Sequence, residues 1–492
     1  MFHSGPPEIG PGEVEKLGVL GDGSFGTVYR GRCRSQEVAI KVLHRQDLDE
    51  HSLNAFRKEV EIVSRIFHPN ILLYMGACTI PGHMCIITEL MHKGDLESLL
   101  HDEKAALPIV LRMRMARDAA LGMTWLHSSN PVFIHRDLKT SNLLVGDDYN
   151  IKLCDFGLSQ IKQRGENLRD GVEGAKGTPL WMAPEVMAGE IFNEKADVYS
   201  FGIVLWEILT RQEPFKVMLT PPPLFVEFDN YEEFRNAICN RHVRPIIPPG
   251  THPALKQLIE ACWHHDPTKR PAFPAIVAAL EYIIVDTGIL DNHGRKLWKD
   301  YFLKKDKVGW TDFLRVFMNI MPSTEDPQTR ILNIKCLYAL LVEKGRDGDE
   351  MVTMEGFGNF ISWFGPMLSD QLPPLMERVR SVLRKSYFHG DISTRDAEGQ
   401  LAGKQVGTFL VRFSTSSPGF YTISKVASDG SIQHQRIIHH PNQPAFYMNN
   451  RAYASLEDLI NQNARELNLI SACLGSRFSA LFVEQSISGY VQ

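Results

Sequence analysis

Residues His135 to Asn142 read His-Arg-Asp-Leu-Lys-Thr-Ser-Asn, and Asp155 to Gly157 read Asp-Phe-Gly. Together they supply one carboxylate that can accept a proton, and an asparagine and a second carboxylate whose oxygens suit Mg²⁺. Toward the N-terminus, Val38 to Lys41 read Val-Ala-Ile-Lys and place a lysine on a predicted strand. In this order, the three motifs predict a site where a metal-bound nucleotide is held by charge and position.

A glycine loop precedes these motifs. Gly21 to Val28 read Gly-Asp-Gly-Ser-Phe-Gly-Thr-Val, and such glycines let backbone amides approach phosphate oxygens because no Cβ stands in the way. A Rossmann turn shares these glycines but opens directly into a helix. Here Val28 to Gly31 continue as strand, so the loop favours the nucleotide site already predicted from the other motifs.

The combined pattern resembles the eukaryotic protein kinases from about Glu13 to Ile284. Ala183-Pro184-Glu185, Asp197 and Arg270 also stand where that family places residues that brace its loops. The strand pattern before Val42 is followed by helical periodicity at Leu111–Leu126, Asp197–Leu209 and Ala254–Trp263. The resemblance implies a bilobal kinase fold over residues 13–284 that uses ATP and Mg²⁺, for which Mn²⁺ could substitute.

The resemblance also implies a role for each site residue. Asp137 would orient the substrate hydroxyl and accept its proton, Lys139 would stabilise charge on the moving phosphoryl group, and Asn142 and Asp155 would hold the metal ions. Lys41 would hold ATP with Glu59, while Glu61 is the competing partner; Glu59 fits the family's helix pattern better. Thr88 would be the gatekeeper residue at the entrance to the hinge, residues Glu89 to Met91, whose backbone would bind adenine. The implied nucleotide contacts are Gly21, Asp22, Gly23, Ser24, Phe25, Gly26, Val28, Ala39, Lys41, Glu59, Thr88, Glu89, Met91 and Leu144.

The acceptor hydroxyl is less sharply defined by the residues. Lys139 and the segment Gly177-Thr178-Pro179 resemble serine/threonine kinases, whereas His68 to Ala77 and the residues near Trp181 resemble the tyrosine-kinase-like group. Serine or threonine is the preferred acceptor, and dual specificity stays open.

The activation segment has few hydroxyl groups. Gln160 to Gly177 contain no Ser, Thr or Tyr, although Arg136 would ordinarily pair with an activation-loop phosphate in this family. We hypothesise that a carboxylate replaces that phosphate, or that contact with another domain orders the loop. The candidate carboxylates are Glu166, Asp170 and Glu173.

A second motif lies near the C-terminus, where Gly407 to Ser414 read Gly-Thr-Phe-Leu-Val-Arg-Phe-Ser. Arg412 inside this apolar strand needs an anionic partner, because burying an unpaired charge is costly. The flanking segments Tyr387–Gly390, Ile432–Ile437 and Ser455–Leu459 follow in the order of an SH2 domain, and the resemblance runs from Tyr387 to about Val483. It implies an SH2 domain over residues 386–492.

An SH2 domain implies phosphotyrosine binding, in which a planar guanidinium grips the phosphate. The implied contacts are Arg412, Ser414, Thr415, Ser416, His434, Arg436 and Arg395. One departure from the family is visible: the helix arginine common in SH2 domains aligns with Thr394, which leaves Arg395 one position late.

Residues 285–385 between the two domains are predicted to form a helical connector. Leu297–Met321 and Ile331–Trp363 both have amphipathic periodicity, and the segment resembles the EF-hand-like module that precedes the SH2 domain of Cbl proteins. No calcium site is expected. If Glu355 were the twelfth loop residue, Lys344 and Asp349 would occupy positions one and six, where a ligand and a glycine are wanted.

Composition sets limits on class and location. The chain has 492 residues, 43% of them apolar and 23% charged, with a formal charge of −5, which predicts a multidomain α+β protein without the basic excess that favours nucleic-acid binding. No apolar run reaches the length of a membrane span, and Met1 to Pro11 do not read as a signal peptide. We expect a cytosolic protein that reaches membranes only through phosphorylated partners, with eight reduced cysteines.

The preferred interpretation is a kinase that is recruited to tyrosine-phosphorylated proteins by its SH2 domain in signal transduction. Kinase first and SH2 last resembles the SH2-bearing kinases of social amoebae. Two alternatives remain at this stage: a phosphotyrosine-binding scaffold with a weakly catalytic kinase domain, or a tyrosine-directed kinase.

Overall fold

The computed structural model describes residues 8–482 apart from 23–25, 45, 47–55, 58–59, 61–63, 65, 157–158, 163–167, 170–176, 216–229, 322–325, 346, 415–418 and 440–444. The chain divides into two compact units, Met1–Ile284 and Val285–Gln492. The predicted connector and the predicted SH2 part therefore lie within one unit, and their separation into two domains stays a prediction. Within the described stretches, no helix combines the length and apolar character of a membrane span.

A five-stranded antiparallel sheet opens the first unit, in the order β1-β2-β3-β5-β4. Val38, Ile40 and Ile87 form its buried core, as alternating apolar residues on a half-covered sheet should. Phe56 and Val60 belong to the predicted following helix and are helical and buried. The strands are β1 (Val14–Asp22), β2 (Gly26–Cys33), β3 (Gln36–Leu43), β4 (Tyr74–Cys78) and β5 (Cys85–Glu89).

The rest of the first unit is mainly helical, which confirms the predicted bilobal kinase fold. The three predicted helices occur, and each extends one or two residues beyond at least one of its predicted ends. The helices are α1 (Leu96–His101), α2 (Ile109–Ser128), α3 (Pro184–Met187), α4 (Lys195–Thr210), α5 (Tyr231–Cys239), α6 (Pro253–Cys262) and α7 (Phe273–Gly288). Two short antiparallel strand pairs flank the predicted catalytic segments: β6 (Val132–Ile134) with β9 (Gln160–Lys162), and β7 (Leu143–Val145) with β8 (Ile151–Leu153).

The second unit begins with a helical module that also contains a small sheet, so the prediction of two continuous amphipathic helices was wrong. Each of the two predicted amphipathic stretches is split into two helices by short strands that pair with one another. This backbone pairing overrides the local helical periodicity, and Gly309, a residue that weakens a helix interior, stands at the first break. The elements are α8 (Asn292–Phe302), β10 (Lys307–Gly309), α9 (Trp310–Ile320), α10 (Pro327–Leu341), β11 (Val342–Lys344), β12 (Glu350–Thr353), α11 (Met354–Phe364) and α12 (Leu375–Leu383).

A seven-stranded sheet follows, with two helices, as expected for an SH2 fold. Its strands run in the order β13-β14-β15-β16-β17-β18, and β19 also pairs with β14. β14 lies between Gly407 and Ser414 of the predicted apolar strand, because an apolar run between a glycine turn and a serine defines both of its ends. The elements are β13 (Phe388–Gly390), α13 (Thr394–Leu401), β14 (Thr408–Phe413), β15 (Tyr421–Val426), β16 (Ile432–His439), β17 (Phe446–Met448), β18 (Arg451–Tyr453), α14 (Leu456–Asn463) and β19 (Ser471–Ala472).

Candidate functional site

Strand register brings the predicted nucleotide residues together. Gly21 of β1 lies opposite Val28 of β2, and Val28 lies opposite Lys41 of β3. Ala39 lies opposite Thr88 of β5, the predicted residue at the entrance to the hinge. Five residues from four segments of sequence thus share one region of the sheet.

The glycine loop contributes through packing as well as through backbone freedom. A Cβ placed on Gly26 would lie 2.2 Å from the Val42 carbonyl oxygen, so only glycine fits between β2 and β3 at this position. Asp22 accepts hydrogen bonds from Thr27 Oγ1 at 2.6 Å and from His44 Nε2 at 2.9 Å. The predicted contacts Gly23, Ser24 and Phe25 lie outside the described residues.

The predicted ATP lysine contacts the predicted metal ligand. Lys41 Nζ lies 3.0 Å from Asp155 Oδ1, and both side chains are partly exposed. Asp155 has a φ of +60°, a left-handed conformation that is uncommon for a residue with a Cβ and is concentrated at functional sites. Glu59 and Glu61 lie outside the described residues, so the choice of partner for Lys41 stays a prediction.

The predicted hinge is fixed by the side chain of Glu89. Its Oε1 accepts hydrogen bonds from the Leu73 backbone nitrogen at 2.7 Å and from Lys152 Nζ at 2.6 Å. Met91 follows two residues later, and Leu144 lies on β7, in the hairpin that also contains Lys152. The hinge backbone is thus tied both to the start of β4 and to β8.

A compact network surrounds Asp137. Asp137 Oδ1 accepts hydrogen bonds from the backbone nitrogen of Thr178 at 3.0 Å and from its Oγ1 at 2.7 Å. Lys139 Nζ lies 3.2 Å from Asp137 Oδ2 and donates to Thr178 Oγ1 at 2.8 Å. Asn142 Nδ2 donates to the Asp137 carbonyl at 2.7 Å and to Oδ2 at 3.1 Å. The predicted catalytic aspartate is therefore held in one orientation before any substrate arrives.

The residues predicted to bind metal fit a hard divalent cation. Because the Asn142 amide donates through Nδ2, its Oδ1 is turned away from Asp137. Asn142 and Asp155 therefore present an amide oxygen and a carboxylate, the ligand types that Mg²⁺ prefers. Their role as metal ligands stays a prediction.

The buried carboxylate of Asp197 holds the backbone of the predicted catalytic loop, His135 to Asn142, in place. Asp197, only 1% exposed, accepts hydrogen bonds from the backbone nitrogens of His135 and Arg136 at 2.9 and 2.8 Å. His127 Nε2 lies 2.8 Å from it, and hydrogen bonds from these donors and the charge of His127 hold the pKa of Asp197 below its usual value despite burial. Arg136 has a φ of +70°, so this bracing stabilises a strained backbone.

The second bracing pair joins Glu185 and Arg270. Two hydrogen bonds of 2.6 and 2.9 Å connect the buried guanidinium to the two carboxylate oxygens. Such a bidentate pair fixes geometry as well as charge. The placement agrees with the bracing role that the resemblance implied for both residues.

Sequence reasoning missed Glu207, which lies in the last turn of α4 and is 1% exposed. Trp181 Nε1 donates to its Oε2 at 2.6 Å, and its Oε1 lies 3.0 Å from Thr140 Oγ1. Burial raises the pKa of Glu207 to about 8. A lone acid within the apolar run Ile203 to Leu209 was the available signal, because such a group needs buried partners.

The activation segment is described only in part. Leu168 and Phe192 exchange backbone hydrogen bonds of 3.0 and 2.9 Å, and the Arg136 guanidinium lies 5.2 Å from the centre of the Phe192 ring. Glu166, Asp170 and Glu173 lie outside the described residues. The hypothesis that one of them replaces a phosphate therefore stays a prediction.

Arg412 lies on β14 and is 4% exposed. Its Nη2 donates to Thr394 Oγ1 at 2.8 Å and its Nη1 to the Phe413 carbonyl at 3.2 Å. Its Nε is buried and finds no hydrogen-bond partner among the described residues. Burial lowers the pKa of the guanidinium, which the charge of Glu398 partly offsets, but arginine keeps its proton in proteins. Among the described residues, only neutral oxygens contact this positive charge directly.

Cross-strand register builds the rest of this pocket. Thr422 lies opposite both Arg412 and Arg436, so the three residues form one row across β14, β15 and β16. His434 is held between Ser424 Oγ at 2.9 Å and Glu398 Oε1 at 3.3 Å. Sequence reasoning placed Arg436 and His434 here but missed Thr422, Ser424 and Glu398, whose positions depend on register or on the packing of α13.

In the first turn of α13, Thr394 occupies the position of the arginine common in SH2 domains. Thr394 contacts Arg412, whereas the Arg395 side chain is exposed. Ser414, two residues after Arg412, is buried. Thr415 and Ser416 lie outside the described residues, so their phosphate contacts, like that of Arg395, stay predictions.

Comparison with known proteins identifies two families in the chain. Residues 14–280 match the family described as protein tyrosine and serine/threonine kinase, and residues 387–462 match the SH2 domain. The dual specificity protein kinase shkA of Dictyostelium discoideum is 53% identical over 99% of this chain and 93% of its own length. The dual specificity protein kinase shkC of the same organism is 48% identical over 95% of this chain and 92% of its own length.

These matches confirm the predicted order of domains, kinase first and SH2 last. The match to the kinase family covers more than half of the chain, and both relatives are matched over nearly their full length. The chain therefore belongs to the protein tyrosine and serine/threonine kinase family and carries an SH2 domain C-terminal to its kinase domain.

Proposed function

We propose that this protein is an ATP-dependent dual-specificity protein kinase whose SH2 domain directs it to tyrosine-phosphorylated proteins. The observation that carries the proposal is the network around Asp137, because phosphoryl transfer depends mainly on positioning and charge neutralisation. The names of the two relatives, both dual specificity protein kinases, support the choice of acceptor.

Asp137 acts as the base in this proposal. A substrate hydroxyl that approaches Oδ2 donates its proton to that oxygen, while Thr178 keeps the carboxylate in place through Oδ1. Lys139, already 3.2 Å from Oδ2, stabilises negative charge on the transferred group. The carboxylate needs no rearrangement at the moment of transfer, because its orientation is set by the protein.

Asn142 and Asp155 hold the divalent cation, Mg²⁺ or Mn²⁺, that accompanies ATP. The metal supplies neutralisation of phosphate charge when it is bound. Lys41 adds its own positive charge to the same region. Its contact with Asp155 at 3.0 Å keeps the ammonium group and the carboxylate close together. The adenine base binds to the hinge backbone at Glu89 and Met91, which the contacts of the Glu89 side chain hold in place.

The contact between Lys139 and Thr178 supports transfer to serine and threonine. The lysine and the threonine occupy the positions that resemble serine/threonine kinases, and they meet at 2.8 Å. Transfer to tyrosine rests on the relatives and on the tyrosine-kinase-like segments of the sequence. Acceptor preference is therefore the part of the proposal most in need of a direct test.

Recruitment rests on Arg412. A phosphate carries close to two negative charges near neutral pH and offers three acceptor oxygens. Arg412 offers a guanidinium that makes only neutral contacts in the described part of the chain, together with Arg436 in the same row of the sheet. Tyrosine-phosphorylated proteins are the partners that such a pocket selects.

Phosphoamino-acid analysis tests the proposed activity. The full chain is incubated with labelled ATP, Mg²⁺, casein and a Glu-Tyr copolymer, with a parallel reaction that contains excess EDTA. We expect label on serine or threonine and on tyrosine, and no label with EDTA. Label on serine and threonine alone would limit the activity to those residues, and the absence of any label would contradict the proposed kinase activity.

A further inference from the structure

The end of α11 packs against the strand that carries Arg412. The rings of Trp363 and Phe413 are stacked with centroids 3.7 Å apart and planes 10° from parallel. Phe364 meets the same ring edge-on at 5.8 Å. Phe413 is the next residue after Arg412, and its carbonyl accepts the hydrogen bond from Arg412 Nη1. The helical module thus contacts the residue that orients the phosphate-binding guanidinium.

Two residues at the end of α11, Ser362 and Trp363, also contact the chain beyond the predicted phosphate-binding loop. Tyr421 donates its hydroxyl hydrogen to the Trp363 carbonyl at 2.6 Å. A Cβ on Gly419 would lie 3.3 Å from the Ser362 carbonyl oxygen, so the backbone passes Ser362 closely at this point. His439 Nδ1 lies 3.2 Å from that carbonyl as well. Phe413 precedes residues 415–418 and Gly419 follows them, so both flanks of the loop rest on Ser362 and Trp363.

These contacts involve substantial burial. Tyr421 and Phe413 are at most 1% exposed, and Ser362 is 4% exposed. An aromatic stack contributes about 0.5–1.5 kcal/mol beyond the area that it buries, and a buried carbonyl that loses its donor is costly. The contacts are therefore strong enough to determine where the flanks of the loop lie.

We infer that Trp363 is a positioning residue for phosphotyrosine binding, and that the binding unit consists of the connector and the SH2 domain together. The inference rests on the proposed phosphotyrosine function. Within the described residues, Trp363 meets Phe413 and Tyr421, neither of which is a predicted phosphate contact. It acts through Phe413 and Tyr421, which hold the two flanks of the loop between Arg412 and β15.

The test measures binding of the full chain to a degenerate phosphotyrosine peptide library, with the dephosphorylated library as blank. Trp363→Ala should weaken phosphopeptide binding by about five- to tenfold, and Trp363→Phe, which retains a stacked ring, should recover most of that loss. Trp310→Ala is the matched control, because Trp310 packs on Phe313 and Tyr338 within the helical module. It should change binding by less than twofold.

Binding is measured at a temperature where thermal unfolding shows each variant to be folded. Equal affinities for wild type and Trp363→Ala, or equal losses in Trp363→Ala and Trp310→Ala, would overturn the inference. If Trp363→Ala does not fold, Tyr421→Phe takes its place, because it removes only the hydroxyl that meets the Trp363 carbonyl. We expect a two- to fivefold loss, and wild-type affinity would overturn the inference. Failure of the wild type to bind any phosphopeptide would instead contradict the proposed function.

Discussion

The Asp137 centre and the Arg412 pocket are the two proposed phosphate sites, and their charges are held in different ways. Asp137 has Lys139 at 3.2 Å, and Asp155 has Lys41 at 3.0 Å. Arg412 meets the neutral oxygens of Thr394 and Phe413, and no carboxylate oxygen of the described residues lies within 4.0 Å of it. The first site thus holds its described charges in pairs, while the second holds one positive charge against neutral oxygens, as the proposed binding of an incoming anion would require.

Glu207 shows the remaining way to bury an ionisable group. Like Arg412, it is buried against neutral partners, here Trp181 and Thr140. A carboxyl can avoid the cost of a buried charge by keeping its proton, and burial raises the pKa of Glu207 to about 8. A guanidinium cannot lose its proton under these conditions. The difference explains why a buried acid can be structural while a buried arginine without a carboxylate indicates a binding site.

The largest expected effect is loss of the base in the first site. Asp137→Asn keeps the size of the side chain but removes the proton acceptor, so the rate of phosphoryl transfer should fall on the order of a thousandfold. Nucleotide affinity should change little. Steady-state kinetics and ATP titration of the same preparation measure both quantities.

Asp147→Asn is the matched control for that substitution. The Asp147 side chain is 71% exposed and lies outside the Asp137 network, so its loss should change the rate less than twofold. Retention of the wild-type rate by Asp137→Asn would remove the central residue of the proposed mechanism.

Loss of the unneutralised cation in the second site comes next. Arg412→Ala removes the charge that the phosphate should meet, and phosphopeptide affinity should fall about a hundredfold, as expected for a bidentate charged contact. Arg465→Ala removes an exposed arginine from the same domain and serves as control. Fluorescence anisotropy with a labelled phosphopeptide measures both, and similar affinities for the two variants would refute the assignment of the pocket.

A gain of charge sharpens the comparison. Thr394 takes the place of the helix arginine common in SH2 domains and lies 2.8 Å from Arg412 Nη2. Thr394→Arg should tighten phosphopeptide binding by about five- to tenfold, because a second guanidinium can contact the phosphate. Thr394→Lys would show whether the gain depends on charge alone. Weaker binding in both variants would mean that the threonine hydroxyl matters more than added charge.

The smallest expected effect concerns Glu207 and pH. Its folded-state pKa of about 8 lies above the ordinary 4.5 of a glutamate. Below about pH 4.5 the Glu207 carboxyl is protonated in both the folded and the unfolded chain, so its burial costs no charge. As pH rises from 4.5 toward 8, only the unfolded chain releases the proton, and the free energy of unfolding falls until the folded chain also ionises.

Glu207→Gln should accordingly gain stability relative to wild type between pH 7 and pH 8, by about 1 kcal/mol. Urea unfolding at both pH values measures the difference. A constant difference between variant and wild type across this range would show that Glu207 stays ionised when folded.

Much of the fold was predictable because its signals are local. The ends of β14 follow from Gly407 and Ser414, and α4 follows from its periodicity. The module between the domains was not predictable in detail, since Lys307 to Gly309 form a strand only by pairing with β12. Periodicity along one segment does not report such pairing.

The sites divide in the same way. Asp137 and Asn142 are five residues apart in one motif, and their contact could be expected from the sequence. Thr422 reaches Arg412 only through the register of β14 and β15, and Trp363 reaches Phe413 only through packing of a helix 50 residues away in sequence. Resemblance identified the chemical groups, whereas the structure identifies what holds them.

The most direct test of the central claim is a crystal structure of the full chain with a non-hydrolysable ATP analogue, Mg²⁺ and a phosphotyrosine peptide. We expect a metal ion bound by Asp155 and Asn142, nucleotide phosphates beside Lys41, and the peptide phosphate on the Arg412 guanidinium. A structure in which the metal lies away from both ligands, or in which the peptide phosphate lies away from Arg412, would contradict the claim that one chain holds these two phosphate sites.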